Sequence, residues 1–382
     1  MERFGRIYFL LVTSLCLLSC AKSEQAAPTA DDLLIEDLQD IIDSKIGDDD
    51  RLKGVAVSIR LGYEKEYQLT GGISGLDEPM PTGAHFGIGS ITKTVVATTI
   101  LALEEEGLLG VDDPISDYLE IDFTNVNGEI TIYELLNHFS GLRGYMKHED
   151  LWPMVDSDPF TKIQPNDLVQ YIGEPEFEPG ARWEYSNSNY LILGLIIESA
   201  TGKTVGEVMR EKLWAPLGLK NMYFAANETV PDPIATPWRG LDDSGVLTDI
   251  SSVYGAGYHS VFYCAADVFS TASDLSLFAQ YLFSGELLSE NTMEKMLTFY
   301  DLGDPVITGY GLGVREIFFP DRLLWGHTGG MRGYGTFMFY DPITHVSIAV
   351  LNNQSRSQNG VTLRGELYWE LLERIFEEIE RS

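Results

Sequence analysis

The chain has 382 residues, 44% hydrophobic and 22% charged, the proportions of a folded globular protein with a large core. Asp and Glu number 58 against 26 Lys and Arg, a formal net charge of −32. No basic surface is therefore offered to nucleic acid or to an anionic bilayer, and the length suits one large domain or two intimate ones.

The first element in chain order is not part of the fold. Arg3 and Arg6 precede an apolar run of 12 residues, Ile7 to Leu18, too short to span a bilayer and right for the core of an export signal. The run closes Leu17-Leu18-Ser19-Cys20, which resembles a bacterial lipobox. That likeness implies a signal over residues 1–19, cleavage before Cys20, and lipidation of Cys20 on a short polar tether over 20–30. Ala21 then favours the outer membrane, with soluble secretion after ordinary cleavage as the alternative. Loss of the signal also leaves Cys264 as the one unmodified cysteine, so no intramolecular disulfide is expected. Cys264 lies in an apolar stretch and reads as a small buried hydrophobe.

Asp31 to Ile46 carries Leu34, Leu38, Ile41 and Ile42 at helical spacing, with Thr29 and Asp32 placed to cap it. Gly54 to Leu61 alternates like a half-buried strand, and Gly62 turns it into a second strand through Tyr67. Ser90 to Glu106 reads as a buried helix closed by Gly107. From about 110 to 250 the pattern is helices and long loops, including a helix over 191–200. A further helix ends at Leu282. Strands follow over 311–318, 322–325, 334–340 and 346–351, the last two joined through Asp341-Pro342-Ile343-Thr344, and an amphipathic helix carrying Tyr368, Leu371, Leu372, Ile375 and Ile379 ends the chain. The fold class expected is α/β in the α+β sense. One antiparallel sheet unites both chain ends and is flanked by the terminal helices, with an inserted, mostly helical lobe at about 110–250 inside a single domain over 31–382. The cleft between lobes is the natural place for a site.

Ser90-Ile91-Thr92-Lys93 puts a hydroxyl and an amine three positions apart, on one helix face and within hydrogen-bond reach. A serine beside a base is the minimum for nucleophilic catalysis. A helix N-terminus also favours the negative charge that develops there. The amine must be desolvated to act as a base at neutral pH, and the apolar helix supplies that. Two further motifs follow in order: Tyr185-Ser186-Asn187 and His327-Thr328-Gly329.

With their surroundings, Phe86 to Lys93, Leu135 to Leu142, Pro179 to Asn187 and Trp325 to Gly330, these motifs resemble the serine β-lactamase and penicillin-binding superfamily. The likeness runs over residues 31–380 and is to the branch of class C β-lactamases, serine DD-peptidases and related esterases. It implies a β-lactamase/transpeptidase-like fold, with Ser90 as nucleophile, Lys93 as general base and Tyr185 as proton relay. Asn187 would hold the Lys93 amine and the substrate amide. His327 stands where β-lactamases carry lysine, as in the peptidase and esterase branch, and would reach the Tyr185 phenol or a substrate carboxylate. The Gly330 N–H would join that of Ser90 as oxyanion hole. Many carboxypeptidases have a hydroxyl residue at the Gly330 position, so Thr328 or Arg332 would have to compensate.

The activity implied is that of a D-alanyl-D-alanine carboxypeptidase-like serine hydrolase, lipid-anchored in the periplasm. An esterase or class C-like β-lactamase is the alternative, and a non-catalytic penicillin-binding lipoprotein a further one. The partners expected are a small peptide, ester or β-lactam, and a membrane through acyl chains only. His138 and Ser140 read as structural. Gly309 to Gly313 enters a strand and is not a dinucleotide loop. His148-Glu149 lacks a second histidine at metal spacing, so neither cofactor nor metal is expected. A largely neutral His327 and a Gly330 without hydroxyl predict weak discrimination between substrates with and without a terminal carboxylate.

Overall fold

A computed structural model describes residues 29–47, 52–120, 124–240, 246–355 and 360–381, the side chains of 360–363 excepted. Cys20, the signal and most of the tether lie outside these residues. The first helix, α1 (Ala30–Lys45), starts at the expected capping box: Thr29 Oγ1 accepts from the Asp32 amide at 3.2 Å while Asp32 accepts from the Thr29 amide at 2.8 Å. Its buried face is Leu34, Leu38 and Ile42.

Nine strands form one antiparallel sheet: β1 (Gly54–Leu61), β2 (Lys65–Gly75), β3 (Glu78–Pro79), β4 (Tyr300–Asp301), β5 (Gly309–Tyr310), β6 (Arg315–Phe319), β7 (Arg322–Met331), β8 (Tyr334–Tyr340) and β9 (Val346–Asn352). Their order is β3-β2-β1-β9-β8-β7-β6-β5-β4. The two chain ends meet at β1 and β9, with Val57 opposite Val350. One face of the sheet packs on α1 and on the last helix, α6 (Gly360–Arg381), through Val55, Val57, Ile59, Val350, Leu371 and Ile375.

The other face of β1 is not solvated, contrary to its alternating pattern. Helix α5 (Ala272–Phe283) covers it, and the polar residues there satisfy one another. The Ser58 and Ser276 hydroxyls are 2.7 Å apart, Arg60 Nε donates to Ser276 at 3.0 Å, and Arg60 pairs with Glu66 at 2.9 Å.

Between the two sheet-forming ends lie α2 (Thr92–Glu105), α3 (Asn187–Thr201), α4 (Ala256–Ala266) and shorter helices. Val95, Val96, Ile100 and Leu101 of α2 are fully buried, as its all-round apolarity predicts.

The strand expected over 311–318 begins only at Arg315, as β6; residues 311–314 form the turn that joins it to β5. Gly311 donates to the Val314 carbonyl at 2.8 Å, and the chain bends at Gly313, whose φ is +70°. A methyl on Gly313 would fall 2.6 Å from Ala97, so the bend wraps the sheet edge around α2. The strand expected over 322–325 runs on to Met331 and carries the His327 motif along its length. No helix among the described residues is long and apolar enough to cross a membrane.

Candidate active site

Ser90 stands in a 3-10 turn, Gly89–Ile91, that leads into α2. The turn lies against β7. Gly89 has φ +57°, and a methyl there would sit 2.5 Å from the Gly330 nitrogen. A methyl on Gly329 would sit 1.9 Å from the Ile88 carbonyl oxygen. Two backbones in contact, with no side chain between them, bring the amides of Ser90 and Gly330 to the same place. Gly330 is exposed, with open space where a side chain would be.

Lys93 is fully buried beneath this turn. Burial, with the Arg315 charge adding to it, holds the Lys93 amine well below its usual pKa. A neutral amine has two N–H groups and one lone pair. Acceptors for both N–H groups are present at 2.8 Å: Asn187 Oδ1 and the Ala265 carbonyl. The lone pair is left for the Ser90 hydroxyl, 3.3 Å away. Asn187 reaches Lys93 because Ser186 caps α3 and makes Asn187 its first residue. Its Nδ2 faces Met146 Sδ at 3.3 Å.

The Tyr185 ring lies 4.8 Å from Lys93 Nζ and 4.4 Å from the His138 ring. Burial pushes its phenol up to about 12, while the Arg315 charge and the nearby Ser90 hydroxyl pull the other way. At neutral pH the phenol keeps its proton and can hand it to a leaving group. Tyr185 Oη is buried close to Ser90 yet completes no hydrogen bond of normal geometry.

His327 is fully buried and does not hydrogen-bond the Tyr185 phenol, the partner the resemblance offered for it beside a substrate carboxylate. Nδ1 lies 2.6 Å from the Thr328 carbonyl and Nε2 lies 3.3 Å from Tyr310 Oη. His138 occupies the other end of the same run, with Nε2 3.1 Å from Tyr310 Oη and Nδ1 receiving the Ser186 amide at 3.2 Å. The partners fix the protons. His138 Nδ1 accepts, so its Nε2–H donates to Tyr310; Tyr310 donates to His327 Nε2; His327 Nδ1–H donates to the Thr328 carbonyl. Burial holds His138 well below its usual pKa. Burial and then Arg315 do the same to His327, so both rings are neutral. The acidic composition does not raise His327, because no carboxylate is in contact with it. Nitrogen-15 spectra of the six histidines should show His138 and His327 in opposite neutral tautomers, neither titrating near 6.5. An imidazolium signal from His327 at pH 6.5 would refute this proton order.

Arg332 is engaged by neighbouring side chains. It pairs with Asp156 at 2.9 Å, donates to Tyr258 Oη at 2.6 Å and lies over the Trp152 ring at 4.3 Å. The cation within the site is Arg315, which the motifs do not mark. β6–β7 pairing sets Arg315 opposite Gly326, and its Nη1 donates to Thr328 Oγ1 at 2.9 Å. Its guanidinium carbon is 5.7 Å from the Tyr185 ring centre, and its Nε is buried with no partner. His138 and Ser140 are structural, as expected: Ser140 Oγ donates to Asn189 Oδ1 at 2.6 Å, and His138 adopts φ +66° in the loop that holds Ser186. Cys264 is buried, also as expected. A separate cavity of about 460 Å³, walled by Tyr254, His259, Phe269 and Tyr334 among others, includes none of Ser90, Lys93 and Tyr185.

A partly exposed serine and tyrosine over a buried lysine, at the seam of an antiparallel sheet and a helical lobe, is an arrangement built for acyl transfer. The family profile described as Beta-lactamase matches residues 34–373, and the chain belongs to that family. The chain is 27% identical over 281 residues to a penicillin-binding protein of Bacillus subtilis (strain 168), covering 68% of this chain and 58% of that protein. It is 25% identical over 257 residues to the D-aminopeptidase of Brucella anthropi, covering 67% and 47% respectively. The chain thus spans about half the length of these curated relatives. The solved D-amino acid amidase of Ochrobactrum anthropi SV3 superposes with a TM-score of 0.80 at 25% identity, over 91% of this chain and 99% of that one.

Proposed function

We propose that this protein is a serine hydrolase that cleaves D-amino-acid peptides through an acyl-enzyme on Ser90. Neutral Lys93 takes the Ser90 proton as Oγ attacks the carbonyl carbon. The amides of Ser90 and Gly330 receive the oxyanion. The Tyr185 phenol protonates the leaving amine, and the same groups in reverse admit the water that frees the acyl group. The relatives named D-aminopeptidase and D-amino acid amidase support a D-configured acyl residue.

The observation that carries a carboxypeptidase-like reading is Arg315. Its partnerless Nε and its bond to Thr328 Oγ1 put one half-buried cation and one hydroxyl beside the leaving-group phenol. That pair can receive a terminal carboxylate, the task expected of Arg332. In place of the weak discrimination that His327 and Gly330 alone predict, we therefore expect a D-Ala-D-Ala peptide to exceed its C-terminal amide in kcat/KM by about a hundredfold, roughly 2.7 kcal/mol. Arg315→Ala should remove that preference and leave simple esters within a few-fold. Equal rates on acid and amide in the unaltered protein would favour the alternative, an esterase or amidase using the same residues, which the open space at Gly330 suits.

We further propose that the protein is exported to the periplasm and anchored by lipid on Cys20, on the motif Leu17-Leu18-Ser19-Cys20. Cys20→Ser should abolish labelling by a radiolabelled fatty acid and release the protein from membranes. Unchanged fractionation of this variant would refute the lipid anchor.

A further inference from the structure

Arg315 also lines a hollow of about 430 Å³ between the edge of the sheet and the segment preceding Tyr185, whose walls include none of Ser90, Lys93 and Tyr185. Its apolar walls are Trp183, Tyr300, Leu302 and Ile307, completed by Tyr310, whose ring centre is 6.2 Å from that of Tyr185, and by Arg315, 5.7 Å from the same ring. The charged groups at its mouth are engaged elsewhere. Asp304 accepts from the amides of Val306 and Ile307 at 2.8 Å, Asp301 accepts from Gly303 at 2.8 Å, and Arg182 pairs with Glu184. Two polar atoms on the wall are buried with no partner: Arg315 Nε and Trp183 Nε1. An apolar hollow with a few convergent, unsatisfied donors is the usual form of a small-molecule site.

Its place relative to the chemistry identifies the occupant. The leaving nitrogen must lie at Tyr185 Oη to be protonated, so the residue bearing it extends past Tyr185 toward Arg315. A carboxylate there meets the guanidinium, and the side chain of the same residue enters the hollow. We propose that this hollow is the leaving-group subsite, selecting an α-amino acid with a free carboxylate and a large apolar or aromatic side chain over alanine. The proposal rests on the acyl-enzyme reading above and specifies its departing residue.

By reversal of the same step, an amino acid bound in the hollow can take the acyl group from the enzyme. Its amine nitrogen bonds to the acyl carbon, the ester bond to Ser90 Oγ breaks, and a proton leaves the amine for Ser90 Oγ through Tyr185. The test uses an activated acyl-D-alanyl ester to load the enzyme, with D-phenylalanine, D-alanine or D-phenylalaninamide added as acceptor. Partition between hydrolysis and transfer is then read by chromatography. D-Phenylalanine should capture the acyl group at least about tenfold better than D-alanine, within the usual range for a pocket that accepts extra apolar volume. It should exceed its amide by a similar factor, and Ile307→Trp, which fills the hollow, should abolish the first ratio. Equal capture of D-phenylalanine and D-alanine would overturn the subsite while leaving the acyl-enzyme reading intact. Should no ester be turned over, that reading fails, and titration of the protein with both amino acids, followed by tryptophan fluorescence, decides the subsite alone. Saturable binding of D-phenylalanine, at least about tenfold tighter than D-alanine and lost in Arg315→Ala, supports it; equal or absent binding refutes it.

Discussion

Ser90→Ala should lower kcat/KM on any ester or peptide substrate by at least about a thousandfold and abolish covalent labelling by a fluorescent penicillin. Lys93→Met should cost a similar factor, because a hydroxyl without its base is hardly more nucleophilic than water. The double variant should be little worse than either single one, since the two groups act as a unit. Mass spectrometry of the labelled digest should place the adduct on Ser90, and an adduct on another serine would remove Ser90 from its role.

The pH profile supplies an independent check on Lys93. The amine acts when deprotonated, so kcat/KM rises with pH through the Lys93 ionisation. Burial and the Arg315 charge put that ionisation well below the ordinary lysine value. The plateau should therefore be reached well short of pH 10.5, where a solvated lysine is only half deprotonated. His327→Gln should not shift this limb, because the ring it replaces is already neutral. A rate still climbing at pH 10 in the unaltered enzyme would contradict the buried, neutral base.

Gly89→Ala is expected to reduce kcat by about a hundred- to a thousandfold, the loss that follows removal of one oxyanion donor. Two effects combine at this position. The φ of +57° disfavours any side chain, at a cost of about 1–2 kcal/mol. The added methyl would also lie 2.5 Å from the Gly330 nitrogen, too close for β7 to stay in place. Gly62→Ala provides the control, since Gly62 has φ +66° in the β1–β2 turn with nothing within 4 Å of a new methyl. It should lose comparable stability in chemical denaturation and retain activity. If Gly89→Ala retains kcat while losing the same stability, the closeness of the two backbones has no catalytic meaning.

Part of the fold and site was legible in the amino-acid sequence because it is local. Ser90 and Lys93 fall on one helix face by spacing alone, the capping box at Thr29 and Asp32 is complete within four residues, and the apolar periods of α1, α2 and α6 mark their buried sides. The alternation of the late strands was enough to place one antiparallel sheet joining the chain ends. Elsewhere local pattern and outcome part. β1 alternates, yet both its faces are covered, because α5 lies on the polar one and its serines satisfy Ser58 and Arg60. The turn at Gly313 delays the strand expected from 311 to Arg315, because the chain there must pass Ala97.

The division is clearest for the two arginines. Arg332 stands five residues from His327, near it in sequence, but it turns to Asp156, far along the chain, where an opposite charge and the Trp152 and Tyr258 rings receive it. Arg315 belongs to no motif and enters the site through strand register, opposite Gly326 and next to Thr328. His327 differs in the same way. Its identity was plain, but its charge depends on burial and on a hydrogen-bond run through Tyr310 to His138, three residues from three separate segments. Short-range spacing and hydrophobic period were enough to put Ser90 beside Lys93 and to indicate the class of fold; the roles of nucleophile and base came from the resemblance of the motifs. Which cation serves the site, and which histidine stays neutral, follows from the folded arrangement alone, because desolvation and long-range pairing depend on neighbours that no local pattern names.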